Sequence, residues 1–352
     1  MTVKAYGTHA ADKPLQPMTI ERRALGPQDV EVTIDFCGVC HSDLHHSREE
    51  WGKTLWPIVP GHEIIGRVAA IGAEVTRFAL GETVGVGCMI DSCKHCAACD
   101  ADEEQFCENG FLLTYNGADA REPTGHTLGG FAENIISHER FVLKISHQPD
   151  QLAAAAPLLC AGITTYAPLK EWGAGPGKKV GVVGIGGLGH MGVKLSHAFG
   201  AHTVAFTTSE SKREAALALG ADEVIVTRNP EELAAHMGSF DIILNTVAAS
   251  QDLNLFAQLL RPHGTLCVLG VPATPHPALD VANLIFRQRT IAGSLIGGIA
   301  QTQEMLDFCA ERDIVSDIEL ISIDRIEEAY DRLLRGDVKY RFVIDNASLG
   351  RF

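Results

Sequence analysis

From Gln151 onward the sequence alternates short apolar runs with helical stretches, and few folds accommodate that rhythm. Lys179–Val183, His202–Phe206, Glu223–Val226, Asp241–Asn245 and Leu266–Leu269 read as strands. Leu188–Phe199, Lys212–Leu219 (closed by Gly220), Glu231–Met237 and Leu253–Leu260 read as the helices between them. Repeated strand–helix units of this length predict a doubly wound parallel sheet with helices on both faces, an α/β architecture. The first ~150 residues have a different texture, rich in Gly, Cys, His and β-branched runs. There Val30–Ile34 alternates apolar and polar residues, as a half-buried strand does, and an irregular β-rich domain is expected. A further strand, Thr290–Ser294, and two amphipathic stretches follow Leu284. Periodicity alone does not say which domain they close. At 352 residues, two domains are the natural expectation.

Between the first strand of the train and its helix lies Gly184-Ile-Gly186-Gly187-Leu188-Gly189. A glycine pattern alone is weak evidence, but one that follows a strand and opens a helix is the context of a dinucleotide seat. The first glycine permits the tight turn, the second lets the backbone approach a pyrophosphate, and the third allows close helix–strand packing. The helix N-terminus favours the anion. Cofactor choice is read about 20 residues later, where an acid selects NAD by bonding its ribose. Here the second strand ends in Thr207, Thr208 and Ser209, with Lys212 beyond, while Glu210 falls past the selecting position. Hydroxyls and a cation suit a 2′-phosphate, so NADP(H) is expected over NAD(H). Taken alone, Lys212 also fits a solvated lysine in a helix first turn.

Charge narrows the partners. With 29 basic and 44 acidic residues the net charge is -15, which opposes broad contact with nucleic acid or anionic lipid. The N-terminus lacks the apolar core of a secretory signal, and no window approaches the ~18 apolar residues of a membrane span. A cytoplasmic protein is expected. Ten cysteines in such a chain point to metal ligation where they cluster, rather than to a disulfide scaffold. Cys37, Cys88, Cys267 and Cys309 have no telling spacing and are read as packing residues.

The cluster is Cys93, Cys96, Cys99 and Cys107, spaced C-x2-C-x2-C-x7-C. Four thiolates on short loops make a closed tetrahedral zinc site, and the surrounding Asp91, Asp102, Glu103 and Glu104 leave little apolar material for a core. The spacing departs from that of bacterial iron–sulfur ferredoxins. A structural zinc is the preferred reading.

Two further segments, Cys37-Gly-Val-Cys40-His41-Ser42-Asp43-Leu-His45 and Gly61-His62-Glu63, are uninformative singly. Together with the four-cysteine run they resemble the zinc-dependent medium-chain alcohol dehydrogenases, whose pattern reads GxCxSDxH, then GHE, then the lobe. The resemblance runs the full length and is nearest to the cinnamyl-alcohol-dehydrogenase-like branch with its bacterial NADPH-dependent aldehyde reductases. The segment Leu158-Leu-Cys160-Ala-Gly-Ile-Thr-Thr165-Tyr matches the family stretch carrying a third ligand.

The resemblance implies a GroES-like catalytic domain (1–150 and 287–352) and a Rossmann-type cofactor domain (151–286). It makes Cys40, His62 and Cys160 the ligands of a catalytic zinc, with a fourth position open, giving two zincs per chain. Asp43 would orient His62, and Glu63 would sit beside the metal. Ser42 and His45 would relay the alcohol proton, and His41 and Thr164 would join the cofactor contacts. Trp51, Leu55 and Trp56 line a substrate pocket or belong to the core. The implied reaction is hydride transfer between NADPH and a broad range of aldehydes or primary alcohols, in a homodimer paired through its cofactor domains. An NAD-dependent dehydrogenase remains an alternative, as does a zinc-free quinone or enone reductase, which has no need of Cys40, His62 and Cys160. A non-catalytic zinc module is a third; it has no use for the glycine turn.

Overall fold

The computed structural model describes residues 1–351 and divides into two compact units. The second, Ala161–Ile296, is built on a six-stranded sheet in which every neighbouring pair is parallel. Across the sheet run Glu223–Val226, His202–Thr207, Lys179–Val183, Phe240–Asn245, Leu260–Val268 and Thr290–Gly293. Numbered along the chain, that order is 3-2-1-4-5-6, the doubly wound dinucleotide-binding arrangement. The inner strands are buried along nearly their whole length, as sheets covered on both faces require. Phe206 stands 5.3 Å from Phe240 and 5.9 Å from Phe256 by ring centroid, and Gly181 leaves the space that the Phe206 ring fills. The fifth strand is longer than the apolar run Leu266–Leu269 predicts. Its first half carries Arg261, Pro262 and His263, exposed residues that hide a strand from any reading based on hydrophobicity.

The first unit comprises Met1–Cys160 and the chain from Gly297 onward. Its seven-stranded sheet is mostly antiparallel and centres on Asp29–Val39, which extends the expected Val30–Ile34 at both ends. On one side Asp29–Val39 pairs with Ile64–Ile71, which leads to Thr83–Val86 and Val142–Lys144. It also pairs with Asn134–His138 and with Arg341–Asp345 from the tail, and Ile318–Ser322 forms the far edge. Val30, Val32, Ile64, Phe131, Tyr330 and Phe342 are among the residues of the core beneath it. The amphipathic tail stretches are the helices Ile299–Ala310 and Ile326–Arg335, the latter stopped by Gly336 in the left-handed conformation.

Both junctions fall ten residues later than expected, after Cys160 rather than 150 and after Ile296 rather than 286. The cause at the first junction is Leu152–Leu159, two short helical turns packed on the strands of the first unit. At the second it is Thr290–Gly293, which completes the parallel sheet. No single helix among the described residues is long and apolar enough to cross a membrane.

The glycine turn is built as its sequence predicts. Gly184 has φ +87°, and a Cβ on Gly189 would lie 1.7 Å from the Gly184 carbonyl oxygen, whereas one on Gly186 would meet nothing within 4 Å. Gly189→Ala is therefore expected to destabilise the second unit by more than ~2 kcal/mol in denaturant unfolding. Gly186→Ala should melt like the parent yet bind dinucleotide more weakly in calorimetry, because its added methyl occupies only the open side of the turn.

Candidate metal centres and cofactor seat

Cys93, Cys96, Cys99 and Cys107 come together in a lobe made of one helical turn, Ala97–Asp100, and one 3-10 turn, Glu104–Phe106. Their sulfurs all lie within 4.8 Å of one another, with Cys93–Cys99 and Cys96–Cys107 each at 3.9 Å. A tetrahedral zinc with ~2.3 Å bonds places its sulfurs about 3.8 Å apart, so the residues fit the metal. The Ser92 hydroxyl lies 3.2 Å from Cys99 Sγ, and the Glu108 amide donates to Cys96 Sγ at 3.4 Å. Such donors stabilise thiolates. Hydrogen bonds led by the His95 amide push the Cys93 thiol down to about 5, while burial pushes Cys99 up to about 11. All ten cysteines are free, which agrees with reading this cluster as ligands rather than disulfides.

Glu104, fully buried under this lobe, ties it to the rest of the first unit. Arg140 donates to its Oε1 through Nε at 3.0 Å, and the same guanidinium holds the Cys99 carbonyl at 2.6 Å. The other oxygen accepts from the Ile299 amide at 2.9 Å, at the start of the Ile299–Ala310 helix. A carboxylate there offsets the helix dipole as well as satisfying an orphan donor.

The second cluster is Cys40, His62, Glu63 and Cys160, all buried and all with ligand atoms within 4.8 Å of one another. Cys40 immediately precedes the helix His41–Ser47, and the Asp43 side chain turns back to accept from its amide at 2.7 Å. The same carboxylate accepts from the Gly61 amide and from His62 Nδ1, each at 3.0 Å. His62 is thereby turned so that Nε2 faces Cys160 Sγ at 3.3 Å. For a tetrahedral zinc the nitrogen–sulfur separation is about 3.6 Å, so this donor set also fits. Two sulfurs and one imidazole leave a position open.

Protonation in the cluster follows its contacts. The Cys160 thiol donates to Cys40, and with Arg341 and His62 it holds Cys40 well below the usual thiol range despite burial. Cys160 is raised correspondingly by that bond, by Cys88 and by burial. Burial opposes a charge on His62, but Asp43 and Cys88 overcome it and hold its pKa well up. Ser42 stands 3.5 Å from Cys40 Sγ through its hydroxyl. His45, on the same helix, hydrogen-bonds Glu50 through Nδ1 at 2.5 Å.

Four neighbours of this cluster escape the sequence reading. Cys88 is more than a packing residue: its thiol stands beside Cys160, close enough to shift its protonation, and reaches the Leu159 carbonyl at 3.8 Å. Arg341, 2% exposed, forms a buried ion pair with Glu63, and no local pattern in the tail announces it. Glu63 in turn fills the place where Gly38 lacks a Cβ. Glu50 follows His45 by five residues, a spacing that could have flagged it. Tyr115, buried, sets its ring 5.7 Å from that of His62. Trp51, Leu55 and Trp56 are not core, since Trp51 is 40% exposed and the other two are half-buried.

In the second unit, Gly184, Gly186, Gly187 and Leu188 form the turn that leads into the helix Gly189–Ala198, and Gly186 is exposed. Thr207 is buried, and its hydroxyl accepts from the Ser209 amide at 3.2 Å. Ser209 Oγ meets Ser211 Oγ at 2.7 Å, a hydroxyl pair of which the sequence reading had only one member. Thr208 and Lys212 are exposed beside it. Glu210, the nearby acid, is gripped by Arg213 at 2.5 and 3.0 Å. Of the remaining expected contacts, Thr164 is buried in the Ala161–Glu171 helix, while His41 opens its helix in the first unit.

Comparison with known proteins agrees with both halves. Residues 26–147 match the alcohol dehydrogenase GroES-like domain and residues 187–311 the zinc-binding dehydrogenase family. Over 349 residues the chain is 62% identical to the aldehyde reductase YahK of Escherichia coli, covering 99% of each. The chain belongs to the zinc-dependent medium-chain alcohol dehydrogenases, in their cinnamyl-alcohol-dehydrogenase-like branch. It is 51% identical to an NADP-dependent alcohol dehydrogenase C of Mycolicibacterium smegmatis, over 99% of both chains. The cinnamyl alcohol dehydrogenase SbCAD4 of Sorghum bicolor superimposes with a TM-score of 0.94 at 40% identity, covering 99% of this chain and 98% of that one. The corresponding enzyme of Helicobacter pylori, complexed with NADP(H), gives 0.92 at 38%, over 99% of both. The chain is thus an oxidoreductase of the alcohol dehydrogenase and aldehyde reductase class.

Two substitutions probe the site. Arg341→Met leaves the Glu63 carboxylate buried without its partner and is expected to cost about 3–5 kcal/mol in denaturant unfolding, with part recovered by adding Glu63→Gln. Cys96→Ser should lower the melting temperature and remove one metal equivalent, while turnover per folded molecule persists. Turnover lost with fold and metal content intact would show that the lobe takes part in the chemistry.

Proposed function

We propose that this chain is an NADPH-dependent aldehyde reductase, acting on a broad range of aliphatic and aromatic aldehydes and reversibly on primary alcohols. In this reading it holds two zinc ions, a structural one on Cys93, Cys96, Cys99 and Cys107 and a catalytic one on Cys40, His62 and Cys160. The observation that carries the cofactor preference is the end of the second parallel strand. There Ser209 and Ser211 present hydroxyls beside Lys212, and the acid between them in sequence, Glu210, is paired with Arg213. A 2′-phosphate meets donors there and no free carboxylate. The NADP-dependent and NADP(H)-bound relatives agree with this preference.

Zinc, when bound by Cys40, His62 and Cys160, supplies a Lewis acid for the carbonyl oxygen, and NADPH supplies the hydride. The chain contributes the rest. Asp43 fixes the His62 ring by hydrogen bonding, so the ligand is oriented before any substrate arrives. Ser42 and His45 carry the proton between the substrate oxygen and solvent, with Glu50 on Nδ1 leaving Nε2 of His45 for the transfer. The exposed Gly186 and the N-terminus of Gly189–Ala198 receive the pyrophosphate.

Two properties of the whole protein accompany this reading. A homodimer is supported by the edge strand Thr290–Gly293, which pairs with Leu260–Val268, and by Ile285 and Phe286 nearby, 68% and 82% exposed. A cytoplasmic location is supported by ten cysteines that form no disulfide, as suits a reducing compartment.

The decisive experiment combines metal analysis with NADPH and NADH oxidation across an aldehyde panel, before and after chelation. Two zincs per chain and chelator-sensitive, NADPH-selective turnover are expected; chelator-insensitive reduction of quinones would overturn the assignment. Thr207→Asp should shift preference toward NADH, because the new carboxylate repels a 2′-phosphate. An unchanged NADPH preference in that variant would remove this strand end from the cofactor reading.

A further inference from the structure

The relay histidine sits in an unusual stack. His45 lies in the last turn of the seven-residue helix His41–Ser47, with its side chain partly exposed. Its hydrogen bond to Glu50 fixes Nδ1 but leaves the ring free to swing about that contact. Trp51 removes the freedom: its indole lies flat on the imidazole, with centroids 4.7 Å apart and planes at 22°. His41, whose ring centroid is 6.2 Å from that of His45, is the other ring beside it.

Trp51 is itself held by rings rather than by core. It is 40% exposed, and besides His45 its ring meets His46 edge-on at 5.7 Å and 82°. His46 is fixed in turn. Its Nδ1 faces the Asn116 amide nitrogen at 3.2 Å, its carbonyl accepts from Thr54 Oγ1 at 2.7 Å, and its ring meets Tyr115 edge-on at 5.5 Å. Asn116 also accepts from the Leu55 amide at 2.8 Å, which clamps the Trp51–Leu55 loop to the same post. Tyr115 then rests on His62 at 5.7 Å. Five rings thus run from His45 through Trp51, His46 and Tyr115 to His62, a metal-ligand residue of the proposed site.

We infer that Trp51 is a positioning residue for proton transfer: it holds the His45 imidazole in the orientation that the relay needs, and the ladder of His46 and Tyr115 registers it against His62. An exposed indole is an expensive way to fill a surface loop, but a flat, rigid face that restrains an imidazole on one side suits this task. The groups that face the His45 ring are Glu50, His41 and the stacked indole of Trp51. The inference rests on the relay reading of Ser42 and His45.

The test uses the zinc-loaded enzyme with NADP and a primary alcohol. Single-turnover oxidation is followed across pH in H2O and D2O for the parent, His45→Ala, Trp51→Ala and Trp51→Phe. Aromatic contacts of this kind predict a two- to tenfold loss, roughly, in the Trp51→Ala rate, with KM little changed and a larger solvent isotope effect. Trp51→Phe should recover most of it, because a phenyl ring also stacks. In 15N spectra the His45 ring signals should broaden or average in Trp51→Ala and stay resolved in Trp51→Phe. If Trp51→Ala keeps the parental pH profile and isotope effect, or changes KM alone, the inference is overturned and Trp51 is only a substrate contact. If His45→Ala itself leaves the pH profile untouched, the relay reading falls and this inference with it. The two failures are distinguishable because His45→Ala is read independently of Trp51.

Discussion

One buried carboxylate organises the catalytic half of this protein. Asp43 is fully buried, a position that would be prohibitive for a charge without donors. Its donors include the Cys40 amide, the Gly61 amide and His62 Nδ1. Those groups come from two separate segments, at Cys40 and at Gly61–His62, so the same contacts that satisfy the charge also join the first ligand to the second. Replacing the charge by an apolar side chain would leave two amides and an imidazole unpaired together. The site is therefore a hydrogen-bonded framework first and a metal site second. His62 is aimed by the protein alone.

The contrast between the two clusters follows from their surroundings. The lobe holds four sulfurs, a closed set, with hydrogen-bond donors from Ser92 and Glu108 and little apolar packing of its own. The inner cluster holds two sulfurs and one imidazole, embedded among buried residues and bordered by the Glu63–Arg341 pair. A buried ion pair contributes little net stability compared with apolar packing, but breaking one side of it is costly, so it resists piecemeal change. Cys88 adds a further thiol beside Cys160, and the pocket is richer in sulfur than ligation requires.

Much of this was legible in the sequence where the signal is local. The four cysteines, the glycine turn and the strand–helix train are each short-range patterns, and the structure places them as read. Asp43 and His62 were paired through the family resemblance rather than through spacing. What escaped depends on contacts between distant segments. Arg341 reaches Glu63 across 278 positions, and nothing around it distinguishes it from a surface arginine. Cys88 looks like a small apolar residue until Cys160 arrives beside it. The strand Leu260–Val268 was half hidden because edge-like residues occupy its first half. Both unit junctions shifted because Leu152–Leu159 and Thr290–Gly293 owe their membership to packing and pairing, which composition does not record.

The Glu104 contact has a consequence for how the chain is assembled. The cysteines of the lobe lie within fifteen residues, so metal can gather them early and at small entropic cost. The acceptor waiting beneath them is different: its Ile299 amide lies 195 positions away, beyond the whole of the Ala161–Ile296 unit. During synthesis the lobe can close around its metal while one oxygen of Glu104 still lacks this donor. Only after the parallel sheet has been made, and the chain has turned back at Gly297, does that oxygen acquire the amide. The order of events along the ribosome thus separates the ordering of the loop from its fastening, and a nascent chain interrupted before residue 299 carries a carboxylate still awaiting its last hydrogen bond.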